Sequence, residues 1–133
     1  MHEINWEFSQ PLENSSILDD FEIDYAYQIP DELKELIKLN NGGIPTQNIF
    51  DSPRDGLVLA GLLSFNKDDE ETVYTVLNNF ITNGRLKMLP FGTDGFGNLI
   101  CMKGKKVIFW RHESDTVALV ADSLTAFLNM LHE

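Results

Sequence analysis

The clearest helical spacing along this chain is Leu33, Leu36 and Ile37, which recur at i, i+3 and i+4 behind Pro30-Asp31-Glu32. Proline suits a first helical turn, and the two acids complement the positive end of the helix. Asn40-Asn41-Gly42-Gly43 stops it, with glycine available for the left-handed position past the last turn. Upstream, Asn14-Ser15-Ser16 is suited to cap a short helix with Ile17, Leu18, Phe21 and Tyr25 as its apolar positions. Phe8-Ser9-Gln10-Pro11 reads as irregular, so that residues 1–16 form a poorly defined lead-in.

The spacing then changes. Ile44-Pro45 through Phe50 reads as extended or loop, and the apolar run from Gly56 to Phe65, bounded by turn signals, predicts one strand buried on both faces. Asn66-Lys67-Asp68-Asp69-Glu70-Glu71 is a polar loop leading into a predicted helix with Val73, Val76, Leu77, Phe80 and Ile81 on its apolar face, closed by Asn83-Gly84. Lys87 to Phe91 predicts a short strand in which Pro90 argues for an edge or a strand end. Leu99 to Met102 and Val107 to Trp110 predict a hairpin through Lys103-Gly104-Lys105. Val117 to Ala121 suits either a further strand or an apolar approach to a last helix, which Asp122 or Ser123 caps and whose buried face is Leu124, Phe127, Leu128 and Leu131. This order predicts one α+β domain over residues 1–133, a mostly antiparallel sheet with helices packed against it.

Charge changes this picture most. The formal net charge is −11, and residues 1–35 carry ten acids against Lys34 alone, whereas Arg85 to Arg111 carries six bases against Asp94 alone. So acidic a surface disfavours direct nucleic-acid binding, which needs phosphate neutralisation. A basic protein partner and plain acidic solubility both fit it. A lone cysteine, Cys101, allows no internal disulfide and fits a reduced, cytoplasmic setting. Met1-His2-Glu3-Ile4 has no basic leader character, and no segment approaches the roughly 18 apolar residues of a membrane span, so neither export by that route nor a membrane is expected.

Candidate chemistry is sparse. His2 and His132 sit near the two ends, and Cys101 with His112 is the one conceivable thiol dyad. A hairpin centred near Gly104 places Cys101 opposite position 106 or 107, about 15 to 20 Å from His112 at roughly 3.3 Å per residue, so core packing is expected for Cys101 and a surface place for His112. Asp94 and Asn98 lack the spacing of a calcium loop, and neither Gly92 to Gly97 nor Asn41 to Ile44 has the Lys and Ser/Thr of a phosphate loop. No catalytic residue, metal or cofactor is therefore expected. Phe109 and Trp110, adjacent on a strand, point to opposite faces, one into the core and the other under a helix or out as an interface anchor.

Taken in order, Ile29 to Leu36 with Asn40-Asn41-Gly42-Gly43, then Leu89-Pro90-Phe91-Gly92-Thr93-Asp94-Gly95-Phe96-Gly97-Asn98, then Val107 to Trp110 and Ala121 to Leu128, resemble the SUKH superfamily from about residue 17 onward. That superfamily includes bacterial toxin-immunity proteins and fungal regulators of cell-wall assembly. The resemblance implies an α+β domain that neutralises a cognate toxin, often a nuclease, in the cytoplasm without catalysis, or else a regulatory scaffold. It assigns no contact residue. Charge supplies the candidates: Asp68, Asp69, Glu70 and Glu71, together with Asp19, Asp20, Glu22 and Asp24, for a basic partner.

Overall fold

The computed structural model describes residues 3–133. Met1 and His2 lie outside the described residues, and with them the reading of His2. In chain order the elements are β1 (Trp6–Glu7), α1 (Ile17–Tyr25), α2 (Asp31–Asn40), β2 (Ile44–Pro45), β3 (Ile49–Phe50), β4 (Leu57–Val58) and β5 (Gly61–Leu62). Two 3₁₀ turns follow, Val73–Thr75 and Leu77–Phe80, and then β6 (Ile81–Thr82), β7 (Arg85–Leu86), β8 (Leu89–Thr93), β9 (Leu99–Lys103), β10 (Lys106–Arg111), β11 (Thr116–Ala121) and α3 (Leu124–Met130). The main sheet is antiparallel throughout, in the order β11-β10-β9-β8-β5, and three two-stranded ribbons, β1-β2, β3-β4 and β6-β7, surround it. The α+β architecture is as expected.

Alternation along β10 sends Phe109 and Trp110 to opposite faces, and both are buried. On one face Phe109 meets Phe50 edge-on at 6.3 Å, and Phe50 meets Phe127 of α3 at 5.2 Å. On the other, Trp110 packs edge-on against Phe80 at 5.0 Å and donates its Nε1–H to Asp115 Oδ1 at 2.7 Å. The tryptophan is thus covered and is not an interface anchor. Its cover is a 3₁₀ turn, where the sequence reading placed a helix. Thr72, Val73, Thr75, Val76, Ile81 and Thr82 are β-branched, which weakens a regular helix, and Asn83-Gly84 closes a hairpin in place of a helix end. Both turn residues have positive φ, +53° and +76°, as a two-residue type I′ connection requires.

The predicted strand from Gly56 to Phe65 is divided. Its first part, β4, pairs with β3, and its second, β5, pairs with β8; the changeover falls at Leu59 and Ala60, whose amides bond to Asn48 and Thr93 carbonyls at 2.8 Å each. An apolar run cannot show that its two halves have different partners. Pro90 lies near the start of β8, beside the register shift between Pro90 and Gly92, and β5 bonds only farther along, at Gly92 and Thr93. No ladder donor is missed there. The Lys103 hairpin forms with Gly104, φ +62°, first of its two turn residues, which puts Cys101 opposite Ile108, one residue beyond the expected range. Val117 to Ala121 lies within β11, and it is Ser123, not Asp122, that caps α3, its Oγ accepting from Ala126 N at 3.0 Å.

The apolar positions of α1 and α2 are buried as their spacing requires, with Leu18, Phe21, Leu33, Leu36 and Ile37 in the core. Ser16 precedes α1 without bonding its free amides; its Oγ lies 2.7 Å from Asn14 Oδ1 and 3.1 Å from Asp20 Oδ2. Gly42 takes φ +70° after α2, as its stop signal implies. Among the described residues, no helix is long and apolar enough to cross a membrane.

After α3 the chain is fastened to β3: Ile49 and His132 exchange backbone hydrogen bonds of 2.8 and 2.9 Å, and His132 Nε2 lies 2.6 Å from Asp51 Oδ2. The hydrogen bond to Asp51 raises the His132 pKa above 6.5, and the Gly56 amide followed by His132 lowers that of Asp51. The raised histidine stabilises at low pH and loses its effect as pH rises through its folded pKa; the depressed aspartate loses its effect as pH falls through its own. The clip is therefore firmest between those two values. An NMR titration of the His132 ring is expected to give a midpoint above 6.5 that returns toward 6.5 in Asp51→Asn.

Candidate functional site: an acidic double groove

A buried hydroxyl positions the acidic loop. Ser64 Oγ accepts from Asn41 Nδ2 at 3.0 Å and from the Asn66 amide at 3.0 Å, and donates to Asp69 Oδ2, so that both lone pairs and the proton are used. Asn41, itself buried past the end of α2, also accepts from Phe65 N at 2.9 Å and donates to the Gln10 carbonyl at 3.0 Å. Asn66 donates to Pro11 O at 2.9 Å and to Asp69 Oδ2 at 3.2 Å, and accepts from Glu13 N at 2.9 Å. The neck of the loop is closed by Ser64 N to Glu71 O and Val73 N to Ser64 O, both 2.9 Å. Residues 65–71 are thereby held as a compact loop against the lead-in segment, which this network also orders.

Two open grooves flank that loop. The first, of about 540 Å³, has an apolar floor that includes Ala60, Gly61 and Leu62, is rimmed by Phe8 and Ile44, and has Asp68, Asp69, Glu70 and Glu71 along one wall, with no base among the described residues that line it. The second, of about 440 Å³, runs between α1 and the loop, where Glu13, Asp20, Asp24 and Asp68 converge around Tyr74 and Lys67. Asp68 lines both. The two acid clusters that the sequence leaves more than forty residues apart thus form one surface, to which Glu13, not singled out by sequence reasoning, adds a further acid in the second groove.

The eight candidates divide by what they touch. Asp68, Glu70 and Glu71 are exposed on the loop, and Asp20 and Asp24 are exposed on α1. Asp69 is partly occupied by Ser64 and Asn66. Glu22 accepts the Ile29 amide at 2.8 Å and Lys34 Nζ at 3.1 Å, bracing the turn into α2. Neither Glu22 nor the exposed Asp19 lines either of these two grooves.

Exposed apolar residues were also beyond the sequence reading. Phe8 is 71% exposed at φ +60°, Ile44 is 43% exposed, and Phe96 is 79% exposed beside Gly95 of the first groove. The Phe96 turn is rigid: Asp94 accepts from Phe96 N at 2.8 Å, Asn98 N at 3.1 Å and Asn98 Nδ2 at 2.8 Å, while Gly95 and Gly97 take φ +84° and +94°. A phenylalanine between two glycines is the one signal in the sequence that could have marked it. Asn98 Oδ1 also accepts the His112 amide at 3.1 Å and lies 3.0 Å from its Nδ1, which holds His112 away from Cys101. Burial pushes the Cys101 thiol well above its ordinary range, leaving a packing role. Among the described residues, no group of three or more His, Cys, Asp or Glu is placed to hold a metal ion.

The model of the SMI1 / KNR4 family (SUKH-1) matches residues 14–130. The chain belongs to this family. Comparisons with curated proteins and with solved structures give no match. The SUKH-1 match takes in α1, the acidic loop and the Phe96 turn, and it leaves out Phe8 on the groove rim.

Two measurements check the geometry. Burial, then Tyr25 and the carboxylates of Asp24, Asp20 and Glu13, push Tyr74 up to about 12. A tyrosinate absorbance titration is expected to show that late step, and Asp20→Asn with Asp24→Asn to move it downward. A tyrosine raised in this way contributes stability below pH 10 that is lost as pH rises through its folded value. In thermal unfolding, Asp69→Ala is expected to cost about 1–3 kcal/mol by leaving the Ser64 hydroxyl proton without its acceptor and removing one of the two bonds that Asn66 Nδ2 donates, whereas Asp68→Asn and Glu70→Gln stay within about 0.5 kcal/mol of the parent.

Proposed function

We propose that this SUKH-1 protein is an immunity protein that binds a cognate bacterial toxin in the cytoplasm and neutralises it without catalysis, the toxin being a basic nuclease. The observation that carries this reading is the convergence of Asp20, Asp24, Asp68, Glu70 and Glu71 on two adjoining grooves, with Lys67 the one cation among the described residues that line them. A nuclease must present cations to phosphates, and an acidic face on its inhibitor competes for those same cations. The grooves also have apolar floors and rims, which suit a protein surface better than a small ion. Phe8, Ile44 and Phe96 offer exposed apolar area beside the charge, and rigid aromatic residues are the usual anchors of such contacts. The family's other use, a regulatory scaffold, is favoured by no single feature of these grooves.

The test is capture of the partner from cells that encode the chain, with identification of what is bound and assay of its nuclease activity. A basic nuclease inhibited at stoichiometric ratio is expected. Reversing Asp20, Asp24, Asp68, Glu70 and Glu71 to lysine is expected to slow association at least about 10-fold and to remove most of its salt dependence. If that variant, still folded, bound the nuclease with unchanged rate and affinity, the acidic grooves would not be the binding face. If no nuclease were captured, the choice of toxin class would fall.

A further inference from the structure

The second groove already holds a cation. Lys67 Nζ lies 5.4 Å from the centre of the Tyr74 ring, where Glu13, Asp20, Asp24 and Asp68 converge, and an aromatic face attracts an ammonium at that distance. The chain's own lysine thus stands where a partner's would. The first groove differs: no base is among the described residues that line it, and the exposed acids Asp68, Glu70 and Glu71 stand beside an apolar floor at Ala60 and Leu62. Its rim carries a residue presented under strain. Phe8 is 71% exposed at φ +60°, a backbone region that bulky side chains rarely adopt. Two fixed points hold it there: Glu7 pairs with Ile44 in the β1-β2 ribbon, and Gln10 N bonds to the Asn41 carbonyl at 2.7 Å. So exposed a ring recovers little burial within the chain itself.

We propose that the first groove seats one segment of the partner, in which an apolar side chain lies on the floor against Phe8 and a neighbouring Lys or Arg reaches Asp68, Glu70 or Glu71. This rests on the reading of a basic partner given above and deepens it. The first groove makes the close contact, while the second, its cation site filled by Lys67, contributes long-range attraction. An apolar floor beside a carboxylate wall selects for both properties at once: a wholly basic segment leaves the floor bare, and an acidic one is repelled by the wall. Phe8 is then a specificity-determining residue, its strain offset by the burial it gains against the partner. It lies outside residues 14–130, the span that matches the family, so the lead-in sets partner choice on top of the shared fold.

The probe is a pool of end-capped hexapeptides in which Lys or Arg alternates with Leu, Ile or Phe, titrated into the whole chain and followed by amide NMR shifts. It is expected to move Ala60, Gly61 and Gly95 and to leave Ile23 and Lys67 of the second groove in place. Binding is expected to be at least about 10-fold tighter than for a pool with Ser at the apolar positions, and absent for one with Asp or Glu at the basic positions. Two variants keep every acid and the net charge: Phe8→Gly, which relieves the positive φ, and Ala60→Leu, which fills the floor. Each is expected to weaken the pool at least about 10-fold, Phe8→Gly with a melting temperature no lower than the parent's. On the captured nuclease both are expected to speed dissociation at least about 10-fold and to leave the salt dependence of association unchanged. Absence of binding, shifts confined to the second groove, equal binding of the Ser pool, or binding unchanged in both variants would each overturn the proposal. The two readings fail separately. A captured nuclease that loses affinity on acid reversal but not in Phe8→Gly or Ala60→Leu would leave the toxin reading standing and overturn this one, whereas a first groove marked by the pool would leave this one standing even if the captured partner were no nuclease.

Discussion

The hydrogen-bonded node around Ser64 is the constraint on which the acidic surface depends. A buried hydroxyl or amide without partners costs about 1–3 kcal/mol, so a side chain such as Asn41 in the core must be surrounded by groups that complete it. Here those groups come from four separate stretches: Gln10 and Pro11 in the lead-in, Asn41 after α2, Ser64 to Asn66 after β5, and Asp69 in the loop. Among the described residues no buried side-chain polar atom lacks a partner. Satisfying the node therefore fixes where the acidic loop sits relative to α1. One carboxylate, Asp69, turns inward to complete it, and its neighbours are left facing outward.

Packing on the two faces of the sheet explains why this node has a rigid base. Phe50, Phe109 and Phe127 lock α3 and the β3 ribbon to one face, and losing one such ring from a core costs about 3–5 kcal/mol. The other face is closed by Phe80 over Trp110, with no long helix available to do it. Here α3 thus lies over one face and a short turn over the other, and the first groove opens at the β5 end of the sheet. Charge then divides the molecule. Exposed acids gather near α1 and the 65–71 loop, while the lysines of the β9–β10 hairpin lie at its turn.

Much of the fold was legible in local pattern. Helices α2 and α3, the β9–β10 hairpin and the glycine stop after α2 follow from spacing and turn chemistry that act within a few residues. The failures have two causes. The run Gly56 to Phe65 changes partner midway and Trp110 finds its cover thirty residues upstream, and in both a neighbour distant in sequence decides. Val73 to Ile81 has helical spacing, but its own β-branched residues and the Asn83-Gly84 turn settle it into 3₁₀ turns and a hairpin. Of the candidate site, the acidic residues were legible as charge, and the exposed aromatic rim was not, since exposure depends on what else packs nearby.

The sequence by itself determined composition, charge balance, family and the order of most elements, because these depend on residue identity and short-range periodicity. It also placed Cys101 in a strand and His112 away from it. Only the tertiary structure decided that Asp20 and Asp24 stand beside Asp68, that Glu22 and Asp69 are engaged in the fold, and that Phe8 is exposed on a groove rim. Convergence, engagement and exposure are relations between segments far apart along the chain, and no local pattern encodes the distance between them.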